Sequence, residues 1–249
     1  MKWTSPDHSP THWALGRRSF LRTALGACVI TPITSLPMQF GSGGASLTKE
    51  QRDRMTPGQV IEELKKGNER FRAGKMFAHD YLAQKRSTAT GQHPAAVVLG
   101  CIDSRAPAEI IFDTGIGDTF NGRIAGTVVN DDLLGSMEYS CAVAGAKVAL
   151  VLGHTDCGAV KGTIDDVEMG NLTGLLARIK PAISATKFDG ERSSKNAAYV
   201  DAVARTNVVL ALDNIRRRSP ILEDLEKKGS VQIAGAMYDL ATGNVEFVG

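Results

Sequence analysis

The chain has 249 residues, 43% of them hydrophobic and 22% charged, and carries a formal net charge of +2. This length and composition are typical of one folded domain with a single sizeable core, and they exclude a largely disordered chain. Residues 1–45 hold a net charge of +3, so the rest of the chain carries −1. A nearly neutral folded part excludes nucleic acid and anionic membranes as the main partners, because both require a concentrated basic surface.

The N-terminal segment has the order of features found in a twin-arginine (Tat) signal peptide. The pair Arg17-Arg18 is followed by Ser-Phe-Leu and then by an uncharged, moderately apolar stretch at 23–36. That stretch is too short and broken for a stable membrane span, which needs about 20 apolar residues. Small residues then lead to Ala45. We therefore expect the twin-arginine translocase to export the chain and residues 1–45 to be removed, leaving 46–249 as a single periplasmic or secreted domain.

Residues 25–28 also resemble a lipobox, the motif at which a bacterial signal is cut before a lipid-bearing cysteine. In that alternative Cys28 would be the first residue of the mature protein and would anchor it to a membrane. The apolar stretch before Cys28 would then be only a few residues long. Ordinary cleavage near Ala45 is therefore the favoured prediction, and lipid anchoring is the alternative.

After the leader, helical patterns alternate with short, almost wholly apolar runs, which is typical of a parallel sheet covered by helices on both faces. Thr56-Pro57 predicts a helix start, because a threonine cap followed by proline suits the first turn. We predict helices at 57–71, 106–112, 132–144, 172–185, 196–218 and 221–228. We predict strands at 95–100, 119–125, 147–153, 231–238 and 245–248. The fold class is therefore α/β, with a central, mainly parallel sheet flanked by helices and a C-terminal strand hairpin.

Two of the predicted buried strands end in polar loops that contain cysteine. Cys101-Ile-Asp-Ser-Arg follows the run at 95–100, and His154-Thr-Asp-Cys157-Gly follows the run at 147–153. The carboxyl ends of strands in an open α/β sheet border one crevice, so we expect Cys101, His154 and Cys157 to meet. Two thiolates and an imidazole are zinc donors, and three protein ligands leave a coordination position for water or substrate. The spacing therefore predicts a catalytic zinc site.

The cysteine count supports this prediction. Of four cysteines, Cys28 is expected to leave with the leader, and Cys101, Cys141 and Cys157 then remain. An odd number does not suit paired disulfides in an exported protein, whereas metal-bound thiolates need no such pairing. Cys141 lies in an apolar helical stretch, and we interpret it as a small buried residue. It is also the obvious candidate for a fourth ligand, which would make the site closed and structural.

The order Cys-x-Asp-Ser-Arg and then His-x-x-Cys-Gly resembles the beta-class carbonic anhydrases. Further motifs follow the order that this family shows, so the resemblance covers residues 56–249. These motifs are Gly67-Asn68-Glu69-Arg70-Phe71, Gly117-Asp118-Thr119-Phe120, Arg123-Ile124-Ala125-Gly126 and Ser136-Met137-Glu138-Tyr139. The resemblance implies a homodimer or a dimer-based oligomer, because the active site of the family lies at a subunit boundary.

By this resemblance, Cys101, His154 and Cys157 bind one Zn²⁺ per subunit. The implied activity is that of a carbonate dehydratase, a lyase that hydrates CO2 reversibly to bicarbonate and a proton through a zinc-bound hydroxide. The implied partners are therefore small molecules, CO2 and bicarbonate. Gly158, directly after the last cysteine of the motif, is expected to contact the substrate.

The resemblance also implies that Asp103 and Arg105 form the catalytic pair. Asp103 would orient the attacking water, and Arg105 would hold the carboxylate ionised and aimed with its fork of donors. Without that grip Asp103 would swing onto the metal and become a fourth ligand in a closed state.

Two other functions stay open on the sequence alone. Some enzymes of this fold act on carbon disulfide or carbonyl sulfide with the same zinc chemistry, and the motif residues do not separate these substrates from CO2. A non-catalytic zinc or thiol-redox module is disfavoured by the intact Asp103 and Arg105, and by the lack of a Cys-x-x-Cys pair.

Two positions depart from the family pattern. Thr127 follows Gly126 where the family often has asparagine, which is expected to alter the substrate crevice or the dimer contact. Val98 stands where the closed, bicarbonate-regulated subgroup carries tryptophan. The second departure disfavours that allosteric site, although Arg123 matches another of its members.

Overall fold

A five-stranded sheet organises the fold, in a computed structural model that describes residue 40 and residues 45–248. The strands are β1 (Ala96–Gly100), β2 (Thr119–Arg123), β3 (Val148–His154), β4 (Gln232–Tyr238) and β5 (Val245–Val248). Their order across the sheet is β2-β1-β3-β4-β5, and all neighbours are parallel except β4 and β5. The predicted fold class, a mainly parallel sheet with a closing hairpin, is confirmed.

The central strands β1 and β3 are buried at every residue. A strand without polar alternation has both faces covered, and here an apolar cluster lies on each side of the sheet. Val97, Leu99 and Val151 belong to one cluster, and Val98 and Leu150 belong to the other. Alternate residues of each strand therefore point into two separate cores.

Helices cover both faces of the sheet. They are α1 (Lys49–Arg54), α2 (Pro57–Arg72), α3 (Tyr81–Thr88), α4 (Ala108–Ile111), α5 (Asp131–Glu138), α6 (Gly158–Ile164), α7 (Gly170–Ala177), α8 (Lys180–Ala185), α9 (Ala197–Arg218) and α10 (Pro220–Lys227). The predicted start of α2 is confirmed, because the side chains and backbone amides of Thr56 and Gln59 bond each other reciprocally. Within the described residues, no helix combines the length and the apolarity that crossing a membrane requires.

Two predicted helices are interrupted in the structure. The helix predicted at 172–185 is two helices, α7 and α8, with Pro181 in the first turn of the second. Proline has no N–H to donate, so it suits a first turn and interrupts a longer helix. The helix predicted at 132–144 is α5 followed by a π-helical turn at Tyr139–Val143, and this turn contains Cys141.

An ion pair hydrogen-bonds a part of β4 that β5 leaves unpaired. The partner strand β5 pairs only with Gly235–Tyr238, so it does not reach Ile233. Glu226 accepts a hydrogen bond from the Ile233 amide at 3.2 Å, and Arg216 donates one to the Ile233 carbonyl at 3.2 Å. The two side chains also bond each other at 2.8 and 2.9 Å. Together they satisfy backbone groups that would otherwise form an open strand edge.

Phe40 belongs to the folded domain. Its side chain is 0% exposed and lies in the same apolar cluster as Leu47, Met55 and Leu64. Burying a phenylalanine removes a large apolar surface from water, so this residue stabilises the packing of the segment before α1. It lies upstream of Ser46, the first residue of the predicted domain. The core therefore includes Phe40, while the domain boundary at Ser46 and the point of leader cleavage stay predictions.

Replacing Phe40 with alanine in the full-length chain tests this packing. We expect thermal unfolding to shift down by about 6–12 °C, because a loss of about 3 kcal/mol is typical of such a change in a core. Leu82→Ala is the control, since Leu82 is 68% exposed. Equal melting temperatures for Phe40→Ala and the wild type would contradict the burial of Phe40 in the core.

Candidate metal centre

The pairing of β1 with β3 brings the predicted site residues together. β1 pairs in parallel with β3 over its whole length, so the carboxyl ends of both strands lie at the same end of the sheet. Cys101 follows β1 directly, and His154 is the last residue of β3. Cys157 lies at the N-cap position of α6, directly before its first residue. The convergence of the two loops, predicted from the sequence, is present in the structure.

Three donor atoms fit a metal ion at this point. One ligand atom from each of Cys101, His154 and Cys157 lies within 4.8 Å of the others, and all three residues are buried. His154 Nδ1 bonds the Thr155 carbonyl at 2.8 Å, which orients the ring. The opposite nitrogen, Nε2, is buried without a hydrogen-bond partner among the described residues. Because a buried imidazole nitrogen rarely stays unpaired, this atom and the two sulfurs suit zinc.

The electrostatics of the three donors favour a cation. The hydrogen bond with Cys157 lowers the pKa of Cys101 well below its ordinary value, although burial opposes this effect. The same hydrogen bond, together with burial, raises the pKa of Cys157. Burial disfavours a charge on His154, but the neighbouring Cys101 thiolate leaves its pKa raised overall. Cys101 is thus ready as a thiolate, and a bound metal ion would favour ionisation of Cys157.

Asp103 lies beside the donor group and is held by Arg105. Nε and Nη2 of the guanidinium donate to the two carboxylate oxygens at 3.0 and 2.8 Å. These bonds hold the pKa of Asp103 well below its usual value, against the effect of burial. Its Oδ2 lies 3.9 Å from Nε2 of His154. The structure therefore places an ionised carboxylate next to the three donors, with both of its oxygens bonded to Arg105.

Arg123 is a site residue whose contacts the sequence did not predict. From the end of β2 it donates hydrogen bonds to the carbonyls of Cys101, at 2.8 Å, and of Asp103. These bonds fix the backbone of the loop that carries both side chains. The sequence placed Arg123 in the Arg123-Ile124-Ala125-Gly126 motif and in the predicted strand at 119–125, and neither reveals bonds to another loop.

Thr127, which stands where the family often has asparagine, lies in the wall behind the donors. Gly126 donates its amide to the sulfur of Cys101 at 3.4 Å, and its φ of +66° and the nearby Ile179 side chain leave no room for a Cβ. Thr127 also has a positive φ of 52°, which asparagine adopts more easily than a β-branched residue. Asn207 and the Thr127 hydroxyl both donate to the Gly126 carbonyl at 2.8 Å.

Two other predicted residues lie outside the donor group. Cys141 is buried in the π-helical turn, and burial raises the pKa of its thiol to about 12. This location agrees with its interpretation as a small buried residue, and it is absent from the donor group found among the described residues. Gly158 begins α6 at an exposed position where a Cβ would meet no atom within 4 Å. Its contact with the substrate stays a prediction.

Comparison with known protein sequences agrees with this geometry. Residues 96–245 match the model of a protein family described as carbonic anhydrase. Carbonic anhydrase 2 of Mycobacterium tuberculosis is 36% identical over 193 residues, which are 75% of this chain and 90% of that protein. The carbonic anhydrase of Mycolicibacterium smegmatis is 36% identical over 192 residues, 76% of this chain and 92% of its own length.

Solved structures resemble the fold as well. A beta-carbonic anhydrase of Aspergillus fumigatus is 26% identical, with a TM-score of 0.58 over 66% of this chain and 79% of that one. The Coccomyxa beta-carbonic anhydrase, solved in complex with acetazolamide, has the same identity of 26% and the same TM-score of 0.58. That match covers 66% of this chain and 75% of the Coccomyxa chain.

Proposed function

The chain belongs to the beta-class carbonic anhydrase family, and from this premise we infer that it catalyses the reversible hydration of CO2 to bicarbonate and a proton. It is a zinc-dependent lyase, and Cys101, His154 and Cys157 form the group that holds the metal. The observation that carries this conclusion is the position of Asp103, whose Oδ2 lies 3.9 Å from Nε2 of His154. At such a site the metal can activate a water molecule, and the ionised carboxylate beside it can orient that water.

We propose that Asp103 and Arg105 are the catalytic pair. When bound, zinc would act as a Lewis acid and lower the pKa of water, an effect that the charge of two thiolate ligands weakens. Oδ2 of Asp103 accepts a hydrogen bond from the water that attacks CO2, and this bond turns a lone pair of the water toward the carbon. Arg105 keeps the carboxylate ionised and fixes its direction through two hydrogen bonds. A role of Asp103 as a fourth ligand would require it to leave Arg105, and that role stays a prediction.

The substitution Asp103→Asn tests the role of this carboxylate. It removes the charge and keeps the size, so we expect kcat/KM for CO2 to fall about 10²-fold, since a positioned acid–base group contributes ~10²–10⁴-fold. Zinc binding should stay at one ion per subunit. The measurement is stopped-flow CO2 hydration by zinc-loaded protein. Asp166→Asn is the control, because Asp166 is an exposed residue paired with Lys180.

Each outcome of this assay has a distinct meaning. Unchanged hydration by Asp103→Asn would contradict the catalytic role of Asp103. If the fully zinc-loaded wild type does not hydrate CO2, assays with carbonyl sulfide and carbon disulfide test the alternative substrates. A lack of activity on all three compounds would support a non-catalytic zinc protein.

We further propose that the chain is exported through the twin-arginine pathway to the periplasm or beyond. Arg17, Arg18 and the apolar stretch after them lie outside the described residues, so the proposal rests on their sequence order. The burial of Phe40 argues for cleavage on its N-terminal side, because removal of Phe40 would uncover an apolar cluster. Lipid attachment at Cys28, which also lies outside the described residues, is the alternative.

Replacing both Arg17 and Arg18 with lysine tests the export proposal. In a bacterial host with a twin-arginine translocase, we expect the double variant to stay in the cytoplasm and the control Arg22→Lys to be exported. Cell fractionation gives the location. Equal export of the double variant would contradict the proposal. The intact mass of the exported protein locates its first residue, and a lipid-modified N-terminal Cys28 would favour the anchored alternative.

We also propose a homodimer formed through the β2 edge of the sheet. β2 is the last strand on that side of the described sheet, and a groove of about 740 Å³ with a mainly apolar lining runs beside it. Phe120 and Tyr139 make an edge-to-face contact in this groove, and Tyr139 is 53% exposed. A free strand edge beside apolar side chains suits a second copy of the chain, which would pair with the edge and cover them.

Sedimentation velocity tests this assembly. We expect the wild type to sediment as a dimer or a multiple of it. Tyr139→Lys should shift the distribution toward the monomer, because a charge would be placed in the contact. Met169→Lys is the control, since Met169 is 65% exposed and does not line the groove. A monomeric wild type, or a Tyr139→Lys variant as associated as the wild type, would contradict the proposed interface.

A further inference from the structure

Arg105 lies between two carboxylates. Its Nε and Nη2 donate to Asp103, as described above, and these bonds use one side of the guanidinium fork. The remaining nitrogen, Nη1, lies 3.4 Å from Oδ2 of Asp156. Asp156 belongs to the second loop of the site, between His154 and Cys157. The guanidinium therefore connects the two loops that carry the three metal donors.

Asp156 is itself fixed from two directions. Its backbone has a positive φ of 56°, and its amide donates to Oδ1 of Asp201 at 2.9 Å. Its other carboxylate oxygen, Oδ1, accepts a hydrogen bond from the Lys161 ammonium. The bond with Lys161 holds the pKa of Asp156 below its usual value, against the effect of burial. One oxygen of Asp156 is thus occupied by Lys161, and the other is left to face Arg105.

We propose that Asp156 is a positioning residue for the reaction, one that holds the Arg105 guanidinium in the orientation that aims Asp103. This inference rests on the proposed catalytic role of Asp103. An arginine side chain has many rotamers, and a second carboxylate beyond the guanidinium restricts the side chain to those rotamers in which its other two donors reach Asp103. Asp156 acts through Arg105 and does not touch the reacting atoms.

Because this contact is exposed to water, its loss should affect catalysis more than folding stability. The side chains of Arg105 and Asp156 are 52% and 48% exposed. Ion pairs this exposed to water contribute little to folding stability. Their geometric effect on a reacting group is a separate quantity, because a small misplacement of a catalytic side chain lowers turnover without unfolding the protein. Removal of the Asp156 carboxylate should therefore reduce catalysis and leave stability and zinc content nearly unchanged.

Two substitutions of Asp156 separate its charge from its backbone conformation. Asp156→Gly removes the carboxylate and tolerates the positive φ, and Asp156→Asn keeps an oxygen acceptor in a residue that also tolerates it. In zinc-loaded full-length protein, we expect Asp156→Gly to lower kcat for CO2 hydration about 3–10-fold with KM nearly unchanged. Asp156→Asn should lose less, because its amide oxygen still accepts a hydrogen bond from Arg105.

The chain offers a matched control for these substitutions. Asp166 also has a positive φ, 50°, and also pairs with a lysine, Lys180, at 2.7 Å. Asp166→Gly should leave kcat and KM unchanged. Zinc content and melting temperature are measured for every variant, so that a loss of metal or of folding is recognised as such. A fall in kcat that follows a loss of zinc would overturn the positioning role, since Asp156 would then act on the ligands themselves.

A double-mutant cycle with Arg105→Met decides whether Asp156 acts through Arg105. In the Arg105→Met background, Asp156→Gly should cause no further loss of kcat, because the group that it positions is absent. An equal fold-loss in both backgrounds would overturn the inference, as would full activity of Asp156→Gly in the wild-type background. A wild type that carries zinc but does not hydrate CO2 would instead contradict the proposed function.

Discussion

The parallel pairing of β1 with β3 is the constraint on which the rest of the site depends. Both strands are buried throughout, so the cores on the two faces fix their relative position. Since the strands are parallel and adjacent, the loop that starts at Cys101 and the loop that contains Cys157 both begin at the carboxyl ends of these strands, on the same end of the sheet. The metal donors therefore meet because of apolar packing far from the metal, before any ion contributes its own binding energy.

The side chains around the donors restrict both loops from several sides. Arg123 bonds two carbonyls of the first loop, and Asn207 bonds the carbonyl of Gly126 behind it. Arg105 links Asp103 in the first loop to Asp156 in the second. Most of these contacts use planar groups with several donors, which fix direction as well as distance. Such a site needs little rearrangement during the reaction, and this preorganisation is a main source of catalysis by polar groups.

The sequence was sufficient to predict the strands that matter and the donors that follow them. Apolar runs without alternation identified β1 and β3, and the residue types after each run indicated zinc. The same reasoning missed the contacts of Arg123 and Asn207, because these side chains bond backbone groups 20 to 81 residues away along the chain. Local patterns report which face of an element is apolar, and they carry no information about a polar contact between distant loops.

The interrupted helices show a second limit of local patterns. Apolar periodicity continues through the break between α7 and α8 and through the π-helical turn that holds Cys141, so it predicted one helix in each place. At Pro181 the breaking residue was visible in the sequence, but a proline in a first turn and one inside a helix look alike without the three-dimensional context. The turn that holds Cys141 has no local signal of this kind.

In the proposed site, two thiolates and one imidazole hold the zinc, and no third thiolate takes the fourth position. X-ray absorption spectroscopy at the zinc edge of the loaded full-length protein tests it most directly. We expect two sulfur neighbours at about 2.3 Å and one imidazole nitrogen at about 2.0–2.1 Å, with the remaining position taken by a light atom. The Cys141→Ala variant should give the same spectrum. A shell with three sulfur neighbours, reduced to two in Cys141→Ala, would indicate a closed structural site and contradict the proposed set of three ligands.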